Sequence, residues 1–327
     1  MKALWVIVAL GALANIVILY LAMSIENQIA DDLLIIEKKQ KEISDYPMEI
    51  DFTFIKTPKL RPFVNPINRQ KVKFLHKPEV VIPHEPIMAV FLVKSAVGNV
   101  YNRSVLRDTW FKDLKRYNFR AYFILGLSCE RSQELISQEA QLHNDIIQAN
   151  FKDYYRGLTR KLIAGLTWLS EQPMNFTNYL ILTDDDYFVN VKNLNLFMRT
   201  LNKDENFMSG NLLSESKPVR DPTSKWYLSM NEYKWAFFPP FLTTGFVVMT
   251  SSLAEKIHRA SPYVRYLNLD DVFLGFVVKK LKVKLVDAGK LMSIEASKDN
   301  LPTKMISLHT DGNPSLIEYA WQYFGNN

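Results

Sequence analysis

Three kinds of hydrophobic pattern follow one another along this chain, and each predicts a different kind of structure. Residues 3–23 are almost wholly apolar, with Asn15 as the one strongly polar side chain. Residues 24–84 mix charged side chains, spaced isoleucines and recurrent prolines. From residue 85 onward, short apolar runs alternate with stretches of helical periodicity. We therefore predict an anchor at 1–23, a stem at 24–84 and a folded domain at 85–327.

The apolar segment is long enough to cross a bilayer, which takes about twenty residues. Lys2 precedes it and acidic residues follow it, which places the amino terminus in the cytoplasm. A cleaved signal peptide is the alternative, because Ala22-Met23-Ser24 resembles a small-residue cleavage site. The length of the run favours an uncleaved signal-anchor. The protein is then expected to be a single-pass type II membrane protein with its folded domain on the secretory side.

The stem combines two patterns. Isoleucine and leucine recur at roughly helical spacing between residues 24 and 44. This spacing is compatible with a helix that pairs with a second copy of the chain, and equally with a solvated stalk. Seven prolines then fall between Pro47 and Pro86, a density that few helices survive. We expect an extended spacer that holds the folded domain away from the bilayer.

The folded domain alternates predicted strands and helices. Strands are predicted at 87–93, 119–127, 146–149, 179–183, 207–213 and 245–249, and helices at 103–115, 132–143, 155–170, 191–201, 253–260 and 271–280. The first of these strands, 87–93, is a short continuous apolar run, which is typical of a parallel strand buried on both faces. This alternation predicts an α/β domain with a mostly parallel central sheet and helices on both faces.

Composition narrows the classes of partner. The chain has 327 residues and a net charge of +6, but no basic block with interleaved aromatic residues, so we expect no nucleic acid partner. The single cysteine, Cys129, is expected to be a buried small apolar residue or to form an intermolecular bridge. The sequons at Asn102 and Asn175 are predicted N-glycosylation sites and agree with the secretory topology.

Three consecutive aspartates, Asp184, Asp185 and Asp186, carry the strongest chemical signal. They follow the apolar run 179–182, so they are expected at the carboxyl end of a strand, where open α/β sheets bind ligands. Carboxylates of this kind bind Mg²⁺ or Mn²⁺ together with substrate phosphates. A polar turn that caps the next helix is the alternative, but one aspartate would suffice for that.

Two arginines in the first predicted helix suggest a second contact with an anionic ligand. Arg103 and Arg107 are four residues apart and share a helix face. A guanidinium group can bind two phosphate oxygens at once, although a solvated surface helix would show the same spacing.

Six short blocks, taken in order, resemble the β-1,3-glycosyltransferases of glycosyltransferase family 31. The blocks are Arg103-x-x-x-Arg107-x-Thr109-Trp110, Asp145-Ile146-Ile147 with the following residues 151–161, Asp184-Asp185-Asp186-Tyr187-Phe188-Val189-Asn190, Phe238-Pro239-Pro240-Phe241 with Gly245, Asp270-Asp271-Val272, and His309 with Pro314 and Trp321. They cover residues 87–324. The chain departs from the family pattern in having Asp270 for glutamate, Val247 for the second glycine and Gly157, or Arg156 in the other register, for asparagine. It also lacks the paired cysteines that are common in vertebrate members. These departures bear most on the donor and the acceptor.

The resemblance implies a GT-A type fold and an inverting, metal-dependent hexosyltransferase of the Golgi membrane. It implies a UDP-sugar donor, Mn²⁺ or Mg²⁺ as cofactor, and a glycan acceptor on a glycoprotein or glycolipid. Galactose is the expected sugar. The metal is assigned to Asp186, Asp184 and His309, with a satisfied structural histidine as the alternative for His309. The donor is assigned to Arg103, Arg107, Lys161, Asp184 and Asp185.

Inversion in a single step requires a base that takes the proton of the attacking hydroxyl. We assign it to Asp271, with Asp270 second, because adjacent carboxylates raise one pKa toward neutrality. Trp226, Tyr227, Trp235 and Phe238 form an aromatic stretch that suits either an acceptor wall or core packing.

Three other functions remain open from the sequence. An N-acetylglucosaminyltransferase shares the motifs. An inactive member that acts as a chaperone or scaffold is disfavoured by the intact aspartates. A metal-dependent phosphohydrolase would need a second metal cluster or a nucleophile motif, which the sequence lacks.

Overall fold

The structure is a computed structural model. It describes residues 17, 18, 20–26, 28, 29, 65–68, 71–81, 85–127, 130–173, 175–203 and 205–325. The chain divides into two compact units. The first contains Met1–Tyr46 and Trp235–Phe237, and its described residues between 17 and 29 are helical. The second contains Pro47–Lys234 and Phe238–Asn327 and carries all the strands described below.

Most of the predicted anchor and stem lies outside the described residues, as does Cys129. Among the helices that the structure does describe, none has the length and apolar character needed to cross a membrane.

A central sheet of eight strands organises the second unit. Its strands are β1 (Phe74–His76), β2 (Ile87–Lys94), β3 (Phe119–Leu127), β4 (Ile146–Lys152), β5 (Thr177–Asp184), β7 (Met208–Leu213), β8 (Phe241–Thr250) and β9 (Leu285–Asp287), in the order β1-β4-β3-β2-β5-β8-β7-β9. Strands β4, β3, β2 and β5 run parallel. The pairs β1–β4, β5–β8 and β7–β8 are antiparallel, and β7–β9 is parallel. The predicted α/β architecture with a mostly parallel sheet is therefore confirmed.

Eight α-helices accompany the sheet among the described residues from 71 to 325. They are α1 (Val100–Asp108), α2 (Phe111–Leu114), α3 (Glu130–His143), α4 (Leu158–Ser170), α5 (Val191–Met198), α6 (Ser251–Ala260), α7 (Asp270–Lys280) and α8 (Pro314–Gly325). The helix predicted at 103–115 is two helices, because the chain turns at Thr109 and Trp110. The Thr109 hydroxyl donates to the Val105 carbonyl at 2.6 Å, and the Trp110 ring is fully buried.

The alternating side chains of β2 show that both faces of the sheet are covered. Phe91 faces one side and packs against Trp110, with ring centroids 5.2 Å apart. Leu92 faces the other side, where helix α4 approaches so closely that a Cβ on Gly165 would lie 2.9 Å from the Leu92 Cδ1. This close approach explains the glycine in the middle of α4, where an alanine would otherwise be favoured.

A second, small sheet was not predicted. It consists of β6 (Tyr187–Val189), β10 (Ile294–Glu295) and β11 (Ser307–His309) in the order β10-β11-β6. Strand β11 pairs with β6 in antiparallel register, with His309 opposite Tyr187. This pairing brings the carboxyl-terminal part of the chain to the end of β5.

Candidate active site

A cavity of about 710 Å³ lies at the carboxyl ends of the parallel strands. Lys94 at the end of β2, Asp153 just after β4 and Asp184 at the end of β5 line it, together with the amino terminus of α7. The carboxyl ends of parallel strands meet at one edge of a sheet, which is why residues far apart in sequence converge here. The volume lies within the range of small-molecule sites.

The predicted residues fall into two groups. The cavity is lined by Lys161, Asp184, Asp185, Asp186, Asp270, Asp271 and His309. Arg103 and Arg107 are not among the lining residues. The predicted glycosylation sites lie elsewhere: Asn102 is half-buried in helix α1, and Asn175 is exposed in the turn before β5.

Asp186 and His309 meet although 123 positions separate them. The pairing of β6 with β11 sets them side by side, and the His309 Nε2 lies 3.2 Å from the Asp186 Oδ2. The Thr310 amide and hydroxyl both donate to the Asp186 carbonyl, at 3.0 and 2.8 Å, which fixes the two segments together. The hydrogen bond to Asp186 raises the pKa of His309, against the effect of burial.

The Asp186 carboxylate has an unsatisfied oxygen. Its Oδ1 is buried and has no hydrogen-bond partner among the described residues. A buried carboxylate oxygen without a partner is costly unless a ligand completes it. The atom therefore marks the position where a cation would be stabilised.

The Asp186 carboxylate and the His309 imidazole fit a cation that also binds the oxygen atoms of a ligand. Among the residues that the structure describes, no group of three or more histidine, cysteine, aspartate or glutamate side chains is arranged to hold a metal ion. Mg²⁺ and Mn²⁺ bound with substrate phosphates need only one or two protein carboxylates, and phosphates and water complete the shell. Asp186 with His309 fits that minimal set.

Asp184 belongs to a second ionic group, centred on Lys94. The Lys94 Nζ lies 3.0 Å from the Asp184 Oδ1 and 2.8 Å from the Asp270 Oδ2, and it donates to the Thr244 hydroxyl at 3.0 Å. Burial raises the pKa of Asp184 to about 6, although the nearby ammonium acts in the opposite direction. The two neighbouring carboxylates raise the pKa of Lys94 despite its burial, so it remains charged.

Asp185 points into the protein and supports the loop after β2. Its Oδ2 accepts hydrogen bonds from the Ser95 hydroxyl at 2.6 Å and the Asn99 amide at 2.9 Å. Burial raises the pKa of this carboxyl group, and these two hydrogen bonds oppose the rise. The carboxylate is thus engaged by the protein, unlike that of Asp186.

The two aspartates at the start of α7 have different surroundings. Asp270 is buried, and both Lys94 and the Thr244 hydroxyl reach its Oδ2 at 2.8 Å. Asp271 is only partly buried, and the Val272 amide donates to its Oδ1 at 2.7 Å. Burial, with the adjacent Asp270 charge, raises the pKa of Asp271 to about 7. Of the pair, Asp271 is the one suited to exchange a proton near neutral pH.

Arg103 and Arg107 support the site from behind instead of lining it. The Arg103 side chain is fully buried, forms an ion pair with Glu139 at 2.6 Å, and donates to the Ser95 hydroxyl and to the Ala96 carbonyl. Arg107 pairs with Glu139 and with Asp145, each at 2.8 Å. Both guanidinium groups already form ion pairs with carboxylates. This geometry therefore does not support the predicted contact of Arg103 and Arg107 with a UDP-sugar donor.

Lys161 reaches the cavity from helix α4. Its Nζ forms an ion pair with Asp153 at 2.8 Å and donates to the Ser95 carbonyl at 2.6 Å. Asp153 in turn accepts from the Gly126 amide at 3.0 Å. The lysine therefore holds the loop after β2 to the turn after β4.

Sequence reasoning missed Lys94, Ser95 and Asn99. The available signal was Lys94 itself, which ends an unbroken apolar run and so stands at the same sheet edge as the aspartates. Its ion pairs depend on strand order, because β2 lies beside β5. A charged residue at the end of a buried strand is the feature that could have identified it.

An α/β sheet with a carboxylate-lined cavity at its carboxyl edge belongs to the class of α/β proteins that bind ligands at that edge. Comparison with known proteins narrows this class. The model of the galactosyltransferase family matches residues 101–289, which is more than half of the chain, and the chain belongs to that family. It is accordingly an enzyme that transfers a hexosyl group.

Curated relatives agree with this assignment. The chain is 33% identical to beta-1,3-galactosyltransferase 5 of Mus musculus over 226 residues, which cover 68% of this chain and 72% of the relative. It is 31% identical to beta-1,3-galactosyltransferase brn of Drosophila melanogaster, with 72% and 74% covered. It is 30% identical to UDP-GalNAc:beta-1,3-N-acetylgalactosaminyltransferase 1 of Homo sapiens, with 67% and 68% covered.

Likeness to solved structures is more distant. The galactosyltransferase LgtC in complex with donor and acceptor sugar analogs aligns at a TM-score of 0.38 and 10% identity, with 73% of this chain and 94% of that chain covered.

Proposed function

We propose that this protein is an inverting β-1,3-galactosyltransferase that uses UDP-galactose and a divalent cation to extend a glycan on a glycoprotein or glycolipid. The observation that carries the proposal is one cavity that holds both an incompletely satisfied Asp186–His309 pair and a separate carboxylate, Asp271, with a pKa of about 7. The galactosyl donor is supported by the family match and by the names of two relatives.

Asp186 and His309 are proposed to hold the cation. A bound Mn²⁺ or Mg²⁺ would act as a Lewis acid toward the departing diphosphate. Asp184 contributes a carboxylate at the same edge, oriented by Lys94 at 3.0 Å. The buried Ser95 and Asn99 contacts of Asp185 keep the chain segment before Asp186 in place.

Asp271 is proposed to take the proton of the acceptor hydroxyl as that oxygen attacks the anomeric carbon and the UDP group leaves. The reaction then inverts the anomeric configuration in one step. Asp270 does not compete for this role, because Lys94 and Thr244 already engage its carboxylate. Its negative charge instead helps raise the pKa of Asp271.

We further propose a GT-A type fold, an amino-terminal signal-anchor at 1–23, a stem at 24–84 and a lumenal catalytic domain at 85–327 in the Golgi. The name of the human relative favours UDP-N-acetylgalactosamine as a second candidate donor.

A donor screen tests the proposal. The purified full-length chain is incubated with UDP-galactose, UDP-N-acetylglucosamine, UDP-N-acetylgalactosamine or UDP-glucose and a panel of methyl β-glycosides, with Mn²⁺ or with a chelator. We expect transfer from UDP-galactose only, dependent on the cation, with a β-1,3 linkage by NMR. Transfer from another donor would overturn the choice of sugar, and an α-linked product would overturn the inverting mechanism.

A further inference from the structure

An exposed aromatic pair stands at the rim of the cavity. Trp226 and Tyr155 both line it, with 49% and 42% of their surface exposed. Trp110 and Trp168, by contrast, are almost completely buried in the core. Large aromatic rings that are exposed beside a polar cavity are typical of ligand contacts, because a bound ligand covers their apolar faces.

The pair is held rigidly by its neighbours. The Lys225 ammonium lies over both rings, 4.6 Å from the Trp226 centroid and 5.3 Å from the Tyr155 centroid. Arg156 connects the two segments behind them: it donates to the Tyr227 carbonyl at 3.0 Å and pairs with Glu232 at 2.6 Å. The rings are therefore positioned before any ligand binds, which lowers the entropic cost of binding.

Glu232 is itself fixed by its own loop. Its Oε2 accepts from the Ser229 amide at 2.9 Å and from the Ser229 hydroxyl at 2.8 Å. The Trp226 amide donates to the Ser224 hydroxyl at 3.2 Å, which closes the other end of the loop. Hydrogen bonds thus stabilise the loop both before and after Trp226 in the sequence.

The aromatic pair lies near the proposed base. Burial raises the pKa of Tyr155 to about 12, and the charges of Asp270, Asp271 and Asp184 add to the rise. Tyr155, Trp226 and Asp271 also line the same cavity. The phenol therefore stays protonated at neutral pH, within electrostatic reach of Asp271.

The charge of the cavity restricts what can occupy this place. Seven acidic side chains and three lysines line the cavity, so a second anion beside Asp271 is disfavoured. Lys225 lies 4.6 Å from the Trp226 ring centroid and 5.3 Å from that of Tyr155, which disfavours a cationic group there. A neutral ring with an apolar face and hydroxyl groups satisfies both restrictions.

We propose that Trp226 and Tyr155 form the acceptor subsite, in which the C–H face of a neutral pyranose stacks on the indole and its hydroxyl is presented to Asp271. This inference rests on the proposed function. It identifies Trp226 as a positioning residue that determines acceptor affinity without taking part in donor chemistry.

Steady-state kinetics with Trp226→Ala and Trp226→Phe test the subsite. Met230→Ala is the matched control, since Met230 is an exposed apolar side chain of the same loop that does not line the cavity. The acceptors are methyl β-galactoside and methyl β-N-acetylglucosaminide. UDP release without any acceptor is measured in parallel, because it reports on donor binding and the leaving group alone.

We expect Trp226→Ala to raise the acceptor KM about tenfold, the size of one lost aromatic contact. Trp226→Phe should recover most of that loss, and Met230→Ala should behave as wild type. Donor KM and acceptor-free UDP release should stay within about twofold of wild type. An unchanged acceptor KM, or an equal rise in donor KM, would overturn the subsite. Absence of any turnover or UDP release by the wild type would instead overturn the proposed function.

Discussion

Replacement of Lys94 by methionine should destabilise the fold strongly, because it would leave two carboxylates of the cavity without their cation. The Lys94 side chain is 3% exposed and lies 2.8 Å from Asp270 and 3.0 Å from Asp184. At an effective dielectric constant of about 20, each pair has a gross attraction of about 6 kcal/mol, most of which offsets the cost of burying the charges. Removing one partner of a buried pair typically costs about 3–5 kcal/mol. We expect Lys94→Met to lower the free energy of unfolding by that amount.

The matched control is Lys77→Met, which removes an ion pair of the same length at the surface. Lys77 lies 2.9 Å from Glu171, and the two side chains are 48% and 42% exposed. Exposed pairs contribute about 0–1 kcal/mol, so this variant should unfold nearly as wild type does. Urea unfolding followed by tryptophan fluorescence provides both values.

The effect of Lys94→Met should also depend on pH. Burial raises the pKa of Asp184 to about 6 even beside the ammonium, so removal of the ammonium should raise it further. The stability contribution of this carboxyl group is then retained where it is protonated and lost as the pH rises through its folded-state pKa. The deficit should therefore be larger at about pH 8 than at about pH 5. A loss no greater than that of Lys77→Met, or a deficit that grows toward acid, would refute the reasoning.

Two further variants test the base and the packing of the cavity. Asp271→Asn should lower kcat by about 10²–10⁴-fold with little change in donor KM, as expected when a general base is lost. Because the pKa of Asp271 is raised to about 7, the wild-type rate should fall as the pH drops below about 7. The variant should lack this acidic limb of the pH profile. Normal turnover by the variant would exclude Asp271 as the general base. Gly245→Ala would place a Cβ 2.2 Å from the Tyr187 hydroxyl, so thermal unfolding should show a loss of about 1–3 kcal/mol. Gly325→Ala, which has open space around it, is its control, and equal stability of the two variants would contradict the packing argument.

Local apolar runs predicted the sheet well, whereas the pairing of distant segments could not be predicted from them. The strand at 119–127 has the predicted bounds, and its buried positions 122–126 fall within the continuous apolar run 121–127 of the sequence. Strands β6 and β11 have three residues each, too few to show a periodicity. Their pairing is nevertheless what brings His309 to Asp186.

The charged residues show the same limit. Arg103 and Arg107 have the spacing of a surface pair, and only the packing of α1 against Glu139 shows that they are engaged inside the protein. Lys94 was missed for the opposite reason, since its partners come from β5 and α7 and not from its own neighbourhood. Residue type and spacing indicated which chemistry is present, and strand order decided which side chains share the cavity.

The most direct test of the central claim is the dependence of UDP release on Mn²⁺ in wild type, Asp186→Asn and Asp311→Asn. Asp311 faces the other ring nitrogen of His309 at 3.5 Å but is 88% exposed, so its variant controls for a change of charge near the histidine. We expect wild type and Asp311→Asn to release UDP from UDP-galactose with similar Mn²⁺ requirements. Asp186→Asn should need far more Mn²⁺ or show no release at all. Full activity of Asp186→Asn at the wild-type Mn²⁺ concentration would contradict the account.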